Sequence, residues 1–496
     1  MRVLLINPAD AEDPAQRRLG NYMPPLSLMY LASALRRDGH DCRILDLYSA
    51  TVPPDPLETV RCYAPGLIGI AAYSPTLDEA YSLARSVKAA SPSTRIVFGG
   101  THASYLPHAC LRRDDVDCVV IGEGEQTLCE LAAAFERGGG PSGIAGIAYC
   151  DGERVVVSPP RPLIDDLDSL PWPAYDLVDF DDYRLAPTRA VLHRRVSSIL
   201  TARGCQYRCS FCSHHYGYDC RVRKRRLDEV VREMAHVRET YGVEEFRFED
   251  CSLTSDPKRV IELCRLMRES RLGAVWNCDV RAETASEELF AAMRAAGCRR
   301  VFLGVESGSQ AILSSLAMQK GITLAQAAKT VRLAKAHRMR INCSFVIGVP
   351  GETRESALRT FDFARELDPD YAMFTALAPS VGSRLFEQAV SQGKIDADSY
   401  RGGPYLAICS GQVPLVQMAG LKPGELSSLI ERFNREFYFR PRYLLRRLAG
   451  IRSWREAAGL VWGALFVLRH RFGAIHGWLE AARCGRRQPC AGAKVG

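Results

Sequence analysis

The sequence predicts an α/β protein with two parallel sheets in succession. An N-terminal doubly wound sheet is followed by a partial (β/α)6 barrel and a mainly helical C-terminal region. Short apolar runs alternate with amphipathic stretches through residues 1–140, and the alternation resumes at 197–380 after a proline-rich interruption. The composition, 496 residues with 47% hydrophobic and 25% charged side chains, is that of a globular protein with ample core.

The first predicted domain spans residues 1–140. Strand–helix alternation there indicates βαβ units and a parallel sheet covered on both faces. Such sheets bind ligands at the carboxyl ends of their strands, so the residues that follow each strand are candidates for a binding site. The predicted strands are 3–6, 42–47, 67–71, 96–98 and 118–121, and the predicted helices are 26–37, 78–90 and 126–137. The candidate binding residues are Asn7, Pro8, Tyr73, Ser74, Pro75, Thr76, Gly99, Gly100, His102, Gly122, Glu123 and Gly124.

A connector at 141–196 separates this domain from the barrel. It contains a predicted hairpin at 146–157 and then many prolines, which favour an extended chain over a helix. Barrels of this type place their chemistry at the C-terminal ends of the strands. The barrel, predicted at 197–380, has strands at 197–202, 244–249, 275–279, 300–305, 341–347 and 370–375.

Three cysteines lie close together just after the first barrel strand. Cys205, Cys209 and Cys212 have the spacing C-x3-C-x2-C, which lets three thiolates converge on three corners of a 4Fe-4S cube. Such cubes usually have four thiolate ligands, so three would leave one iron open to a substrate or cofactor. The spacing by itself also permits a zinc site, or a fourth ligand from Cys220, His214 or His215.

The ends of the later barrel strands carry polar residues and glycines in register with this loop. Four such segments after one cysteine loop make coincidence improbable, although any one of them alone would be an ordinary strand cap or turn. Gly308 and Gly351 permit close approach of the backbone to a ligand, and the planar guanidinium of Arg281 suits a carboxylate. The segments are Phe248-Glu249-Asp250, Cys278 to Arg281, Leu303 to Gly308, and Ile347 to Thr353.

Residues 197–380 resemble the radical S-adenosylmethionine (SAM) enzymes. The resemblance rests on the cysteine loop, the G-V-E-S-G segment and the G-x-P-G-E-T turn. It implies that the three cysteines hold a 4Fe-4S cluster whose open iron is chelated by SAM. It also implies a SAM pocket formed by Phe211 at adenine, with Glu249, Arg281, Glu306, Ser307, Gly348 and Pro350.

The N-terminal half resembles the cobalamin-binding domain of cobalamin-dependent radical SAM enzymes. The similar segments are Gly99 to His102, Gly122 to Glu125 and the connector Asp168 to Asp176, so the resemblance covers about residues 1–380. The D-x-H-x-x-G motif that supplies a cobalt-ligating histidine is absent, and His40 is expected to be a solvated turn residue. The resemblance therefore implies base-off cobalamin, with the loop 73–76 below cobalt. The alternative is a Rossmann-like nucleotide module, which the absence of G-x-G-x-x-G after the first strand disfavours.

These resemblances imply an enzyme that methylates an unactivated carbon of a small molecule. A 5′-deoxyadenosyl radical would remove hydrogen, and methylcobalamin would supply the methyl group, with electrons from a donor such as flavodoxin or ferredoxin. Alternatives are a radical cyclisation or rearrangement, as in tetrapyrrole-cyclase-like or hopanoid-processing relatives, or a non-catalytic metal-cluster module that binds nucleic acid.

The net charge of +8 is concentrated in the predicted helical region at 381–496. From Arg440 onward the chain carries +10 and the remainder −2. A stripe from Trp454 to Phe472, flanked by arginines, predicts an amphipathic helix that either packs on the barrel or lies on an anionic membrane. Nucleic-acid binding is not expected, because the rest of the chain lacks a matching basic patch. Single cysteines in apolar runs and the absence of an evident signal peptide predict a cytoplasmic protein.

Overall fold

The computed structural model contains two parallel sheets joined by an extended connector. It describes residues 1–9, 23–48, 55–183, 185, 189–192, 195–213, 220–316, 321–401 and 420–449. The predicted α/β architecture is confirmed: both sheets, their strand directions and a helical C-terminal region are present. The two domains face each other through the loops at the carboxyl ends of their strands.

The N-terminal sheet has the strand order β2-β1-β3-β4-β5-β6-β7, with β1 to β5 parallel. Alternate residues of a strand point to opposite faces. Leu4 and Ile6 accordingly enter one buried core, while Val3 and Leu5 enter another on the opposite face. The strands are β1 (Arg2–Asn7), β2 (Asp41–Asp46), β3 (Leu67–Ala71), β4 (Arg95–Gly99), β5 (Cys118–Val120), β6 (Ile147–Asp151) and β7 (Arg154–Val157). The helices are α1 (Leu26–Arg37), α2 (Pro56–Tyr63), α3 (Leu77–Ala90), α4 (Thr101–Tyr105), α5 (Pro107–Cys110) and α6 (Glu125–Glu136).

The predicted hairpin forms, and it extends this sheet. Strand β6 pairs antiparallel with β5, and β7 pairs antiparallel with β6. The rest of the connector contains short 3-10 turns and packs along α1, where Ser33 Oγ donates to the Trp172 carbonyl at 2.5 Å. Met29 of α1 and Tyr175 of the connector lie in the barrel's core cluster, so both bind the first domain to the second.

The second sheet is the predicted six-stranded parallel array, in the order β15-β14-β13-β12-β11-β8. An antiparallel two-stranded ribbon, β9 with β10, follows its first strand and was not predicted. The strands are β8 (Val196–Ile199), β9 (Ala202–Arg203), β10 (Arg223–Lys224), β11 (Glu245–Phe248), β12 (Val275–Val280), β13 (Cys298–Glu306), β14 (Arg340–Ile347) and β15 (Tyr371–Ala376). The helices are α7 (Leu227–Tyr241), α8 (Pro257–Glu269), α9 (Glu287–Ala295), α10 (Gln310–Leu316), α11 (Leu324–Ala336) and α12 (Arg354–Leu367).

The described C-terminal region is helical, as expected. It comprises α13 (Arg384–Ser391), α14 (Pro423–Tyr438) and α15 (Pro441–Ala449). The rings of Phe361 on α12 and Phe433 on α14 stack 4.7 Å apart, so α14 closes the end of the barrel sheet. The predicted stripe 454–472 lies outside the described residues. No helix in the described ranges is long and apolar enough to cross a membrane.

Candidate active site at the domain interface

The cysteine loop is closed at its base by the β9–β10 ribbon. Arg203 pairs with Arg223, so both ends of the loop 204–222 are fixed by backbone hydrogen bonds. Gly204 makes this closure possible. It has φ of 95°, and a Cβ there would lie 2.0 Å from the carbonyl oxygen of Arg221. Only glycine tolerates both this conformation and this approach.

The three cysteines predicted as cluster ligands lie together on this loop, where Cys212 N–H donates to the Cys209 carbonyl at 3.1 Å. Burial raises the pKa of the Cys205 thiol, the N–H of Tyr207 opposes the rise, and charge on Cys212 or Cys209 adds to it. The thiols are therefore close enough to interact. Among the described residues, no three His, Cys, Asp or Glu side chains converge on a single metal-ion position. The ligand set thus remains a prediction, although three interacting thiols are the donors that an iron–sulfur cluster requires.

The alternative fourth ligands differ in what the structure says of them. The Cys220 Sγ accepts a hydrogen bond from Arg208 Nε at 3.1 Å, and its backbone is in the left-handed region at φ of 54°. His214 and His215 lie outside the described residues.

Phe211, predicted to contact adenine, packs beside the G-x-P-G-E-T turn. Its ring adjoins an apolar cluster that includes Val349 of the G-V-P-G-E-T turn and Leu377 just after β15. The turn lies beside the cysteine loop, as the sequence register predicted, and Pro350 is partly exposed there. Within the turn, burial raises the pKa of Glu352 to about 7, while the backbone N–H groups of Gly348 and Val349 oppose the rise.

Two glycines of these motifs serve helix packing. A Cβ at Gly348 would lie 2.9 Å from Leu426 Cδ2 of α14. A Cβ at Gly308 would lie 2.6 Å from the Thr360 Cα of α12. The absence of a side chain therefore lets α12 approach, whereas the sequence analysis attributed this glycine to the approach of a ligand. The predicted SAM contact at Gly348 is therefore not required to explain its glycine.

Glu306 is held in an unusual backbone conformation. Its φ is 68°, in the left-handed region that non-glycine residues rarely adopt, and the β13–β14 pairing shifts register between Gly304 and Glu306. Such strain concentrates at functional sites, because the surrounding fold must stabilise it. Because of this shift, the buried Glu306 side chain points in a different direction from the one it would have in a regular strand.

Ser307, predicted to contact SAM, is buried against α12. It is fully buried, its Oγ lies 3.1 Å from Thr360 Oγ1, and it accepts from the N–H of Ser309 at 3.1 Å. The hydroxyl therefore joins the Glu306 loop to α12. The predicted contact of Ser307 with SAM stays a prediction.

Arg281 lies against the cysteine loop. Its guanidinium carbon is 3.6 Å from the centroid of the Tyr207 ring, and its Nε donates to Glu283 Oε1 at 2.8 Å. The contacts link the end of β12 to the loop. A SAM carboxylate at Arg281 would have to share the guanidinium with Glu283.

Charged side chains line the barrel interior beneath the loop. Arg247 forms an ion pair with Asp279, its Nε lies 3.7 Å from Glu249 Oε1, and its guanidinium carbon is 4.6 Å from the centroid of the Phe302 ring. Glu249 and Asp279 keep 41% and 49% of their side-chain surface exposed. Burial nevertheless raises the pKa of Glu249. The two carboxylates are thus partly accessible, while the surrounding protein removes part of the water around Glu249.

The loop predicted below cobalt contains a buried polar pair. Ser74 Oγ and His102 Nδ1 are 2.9 Å apart across the strand ends of β3 and β4. His102 is fully buried, and burial lowers its pKa to about 4. Among the residues that the structure describes, His102 Nε2 and Thr76 Oγ1 find no hydrogen-bond partner. Two orphaned polar atoms beneath a sheet edge fit a polar ligand there. The loop also includes Tyr73 and Pro75, and the adjoining turn includes Gly99 and Gly100.

The first strand end is tied to its neighbour. Asn7 Nδ2 donates to Asp46 Oδ1 at 2.9 Å, and Tyr183 of the connector donates to Asp46 Oδ2 at 2.9 Å. Pro8 is buried beside them. His40 was expected to be a solvated turn residue, but its side chain is buried. Its Nδ1 lies 3.1 Å from the N-terminal amine of Met1.

Glu123 reaches from the first domain into the second. It accepts from Arg223 Nη1 and Nη2 at 2.7 and 2.8 Å, and from Arg203 Nη1 at 3.1 Å. Its neighbours Gly122 and Gly124 remain at the sheet edge, where a Cβ on Gly122 would meet no atom within 4 Å. Glu123 thus joins the two domains, and its predicted contact with cobalamin stays a prediction.

Sequence reasoning missed the residues that join the two domains at the cysteine loop. Arg203 and Arg223 flank the loop directly, but their partner lies about 80 and 100 residues earlier. Tyr105 Oη of α4 donates to the Ser213 carbonyl on the loop at 2.8 Å. The alternation of arginines and cysteines was visible, but nothing in it identified the acid that pairs with them.

Comparison with known proteins assigns a separate family to each of the two domains. Residues 15–132 match the B12 binding domain, and residues 199–364 match the radical SAM superfamily. An uncharacterized methyltransferase of Pyrococcus horikoshii is 33% identical over 90% of this chain and 94% of its own. An anaerobic magnesium-protoporphyrin IX monomethyl ester cyclase of Rubrivivax gelatinosus is 28% identical over 90% of this chain and 78% of its own.

A solved structure supports the same fold. The radical SAM methyltransferase TsrM of Kitasatospora setae, with cobalamin and a 4Fe-4S cluster bound, superimposes with a TM-score of 0.64. The match covers 79% of this chain and 75% of that chain at 23% identity. The similarity in fold therefore covers most of both chains.

Proposed function

The chain belongs to the cobalamin-dependent radical SAM methyltransferase family, and from that premise we propose that it methylates an unactivated carbon of a polar small molecule. The observation that carries the proposal is the position of the cysteine loop. It is bonded to the carboxyl edge of the first sheet through Glu123 and Tyr105, and it adjoins the strand ends of the barrel through Phe211 and Arg281. A substrate between the two edges is within reach of both domains.

Each domain offers residues suited to one cofactor. The thiols of Cys205, Cys209 and Cys212 would hold the cluster. Phe211, Glu306 and the turn at Pro350 would hold SAM, and the loop 73–76 with His102 would lie against cobalamin. When bound, these groups supply a carbon radical and a transferable methyl group. The chain's own task is to orient them, to bind substrate and to exclude water.

The barrel interior supports a polar substrate. Arg247, Glu249 and Asp279 form a charged set whose carboxylates remain accessible. Burying such charges against an apolar ligand would cost free energy, because their hydration would be lost without compensation. A substrate with hydrogen-bond donors toward Glu249 and Asp279 avoids this penalty. A wholly apolar polycyclic substrate fits this interior poorly.

The experiment follows the methyl group. Reconstituted enzyme is incubated anaerobically with hydroxocobalamin, a reductant, deuterated-methyl SAM and a fractionated metabolite extract, and products are analysed by mass. We expect a product that carries the whole deuterated methyl group, formed from a polar fraction. Cys209→Ala is the control and should give neither product nor 5′-deoxyadenosine. Cleavage of SAM with an unlabelled, cyclised or rearranged product would refute methyl transfer and favour the cyclase chemistry named for the Rubrivivax relative.

Two partners belong to the proposal. A reduced flavodoxin or ferredoxin would supply the electron.

Peripheral contact with an anionic membrane is supported by helix α15, where Leu444 and Leu445 are exposed beside Arg442. Sedimentation with anionic liposomes at low salt tests the contact, and deletion of residues 440–496 should release the protein. Equal recovery in the supernatant with and without liposomes would refute it.

A further inference from the structure

We propose that Glu123 is a positioning residue that couples occupancy of the cobalamin edge to the geometry of the cysteine loop. The inference rests on the proposed function, because it assumes that both cofactors bind. The inference concerns how the cobalamin edge and the cysteine loop are held in position relative to each other. Glu123 belongs to the loop after β5, whereas both of its arginine partners belong to the ribbon that closes the cysteine loop.

The contacts form a buried ionic bracket, which we define as Glu123, Glu125, Arg203 and Arg223. Arg203 Nη2 donates to Glu125 Oε1 at 2.6 Å, in addition to its bond to Glu123. The side chains of Glu123 and Arg223 are only 6% and 4% exposed. Because water is excluded, this attraction is screened far less than that of a surface pair.

The bracket is attached rigidly on both sides. Glu123 also accepts from the Ile164 N–H of the connector at 2.9 Å, and Arg223 Nη1 donates to the Ile164 carbonyl at 2.6 Å. On the barrel side, Gly204 and Cys205 directly follow Arg203. A displacement of the Gly122–Gly124 loop therefore moves the base of the loop that carries the cysteines.

Reciprocal coupling follows from this connection. A ligand that fixes the loop after β5 also fixes the bracket, so the second ligand has less ordering left to perform. Cobalamin should bind more tightly when SAM occupies the barrel, and SAM more tightly when cobalamin is present. Removing the charge of Glu123 should weaken this mutual effect, while each site remains able to bind.

The test measures the coupling itself. The dissociation constant of hydroxocobalamin is measured for the cluster-loaded full-length enzyme with and without saturating SAM. The readout is the constant without SAM divided by the constant with SAM. Glu123→Gln keeps the shape and removes the charge. Because it leaves Arg223 less well paired, a second variant, Glu123→Leu with Arg223→Met, replaces the buried pair by apolar side chains, which buried ion pairs commonly tolerate.

Asp165→Asn is the matched control. Asp165 pairs with Arg221 at the same end of the cysteine loop, but their side chains are 76% and 54% exposed. We expect the ratio to fall at least about fivefold in both Glu123 variants and to be unchanged in the control. An unchanged ratio in either Glu123 variant would overturn the inference. Absence of cobalamin binding by the wild-type enzyme would instead overturn the proposed function, and the inference with it.

Discussion

Gly204→Ala tests whether the ribbon at the base of the cysteine loop is needed to hold the cluster. The left-handed backbone at φ of 95° costs a residue with a Cβ roughly 1–2 kcal/mol. The larger effect is steric, because the new Cβ would lie 2.0 Å from a backbone oxygen that cannot rotate away. Relief requires the β9–β10 pairing to open.

Opening the ribbon also separates Arg223 from Glu123. Breaking one side of a buried ion pair typically costs about 3–5 kcal/mol. That cost is a large fraction of the whole stability of many domains, which is about 5–15 kcal/mol. Since the ribbon lies outside both main sheets, we expect local opening of the loop and not global unfolding.

The assay is the iron and sulfide content per chain after anaerobic reconstitution, together with the melting temperature. Gly204→Ala should lose most of its cluster. Gly393→Ala is the matched control, because Gly393 has φ of 66° and no atom within 4 Å of an added Cβ, so it carries only the backbone cost. Wild-type cluster content in Gly204→Ala would refute the assigned role of the ribbon.

Three further predictions concern separate parts of the site. Cys220→Ala should retain the cluster, whereas Cys205→Ala should abolish it; loss of iron from both would indicate a fourth thiolate ligand. His102 has its pKa lowered to about 4, so the folded state resists protonation and stability should fall from pH 6.5 toward 4, by up to about 3 kcal/mol. Urea unfolding of His102→Gln should lack this slope, and an equal slope would contradict the assignment. Gly348→Ala should be less destabilising in a Leu426→Ala background, because the collision is then removed; strict additivity of the two melting-temperature changes would argue against that contact.

The secondary structure was largely predictable because short apolar runs alternate with amphipathic stretches in the sequence of both sheets. Apolar runs bounded by turn residues placed β3 at the residues that the structure gives it, and β13 within two residues. The ribbon was missed because its strands have two residues each, too short to show any alternation. Helix α2 was missed because it has eight residues, of which Val60 and Tyr63 are buried, so its apolar repeat is too short to recognise.

The candidate site was predictable at the level of motifs but not of side-chain roles. The sequence brought Phe211 and the G-x-P-G-E-T turn to one end of the barrel, and the structure packs them together. It assigned Ser307 to a ligand, yet the approach of α12 decides where that hydroxyl points. The ion pairs of Glu123 were missed for the same reason, since its partners come from a different domain. Such contacts depend on packing between distant segments, which local patterns do not encode.

The closure of the cysteine loop has a consequence for damage and repair. Small zinc domains unfold when they lose their metal, because the metal supplies the folding free energy. Here the ends of the loop are held by the ribbon, by Gly204 and by the ion pairs of Glu123, all of which are protein contacts. An enzyme of this design that loses its iron to oxygen keeps the frame that received it. We therefore expect the cluster to reassemble on folded protein once the thiols are reduced and iron and sulfide are restored.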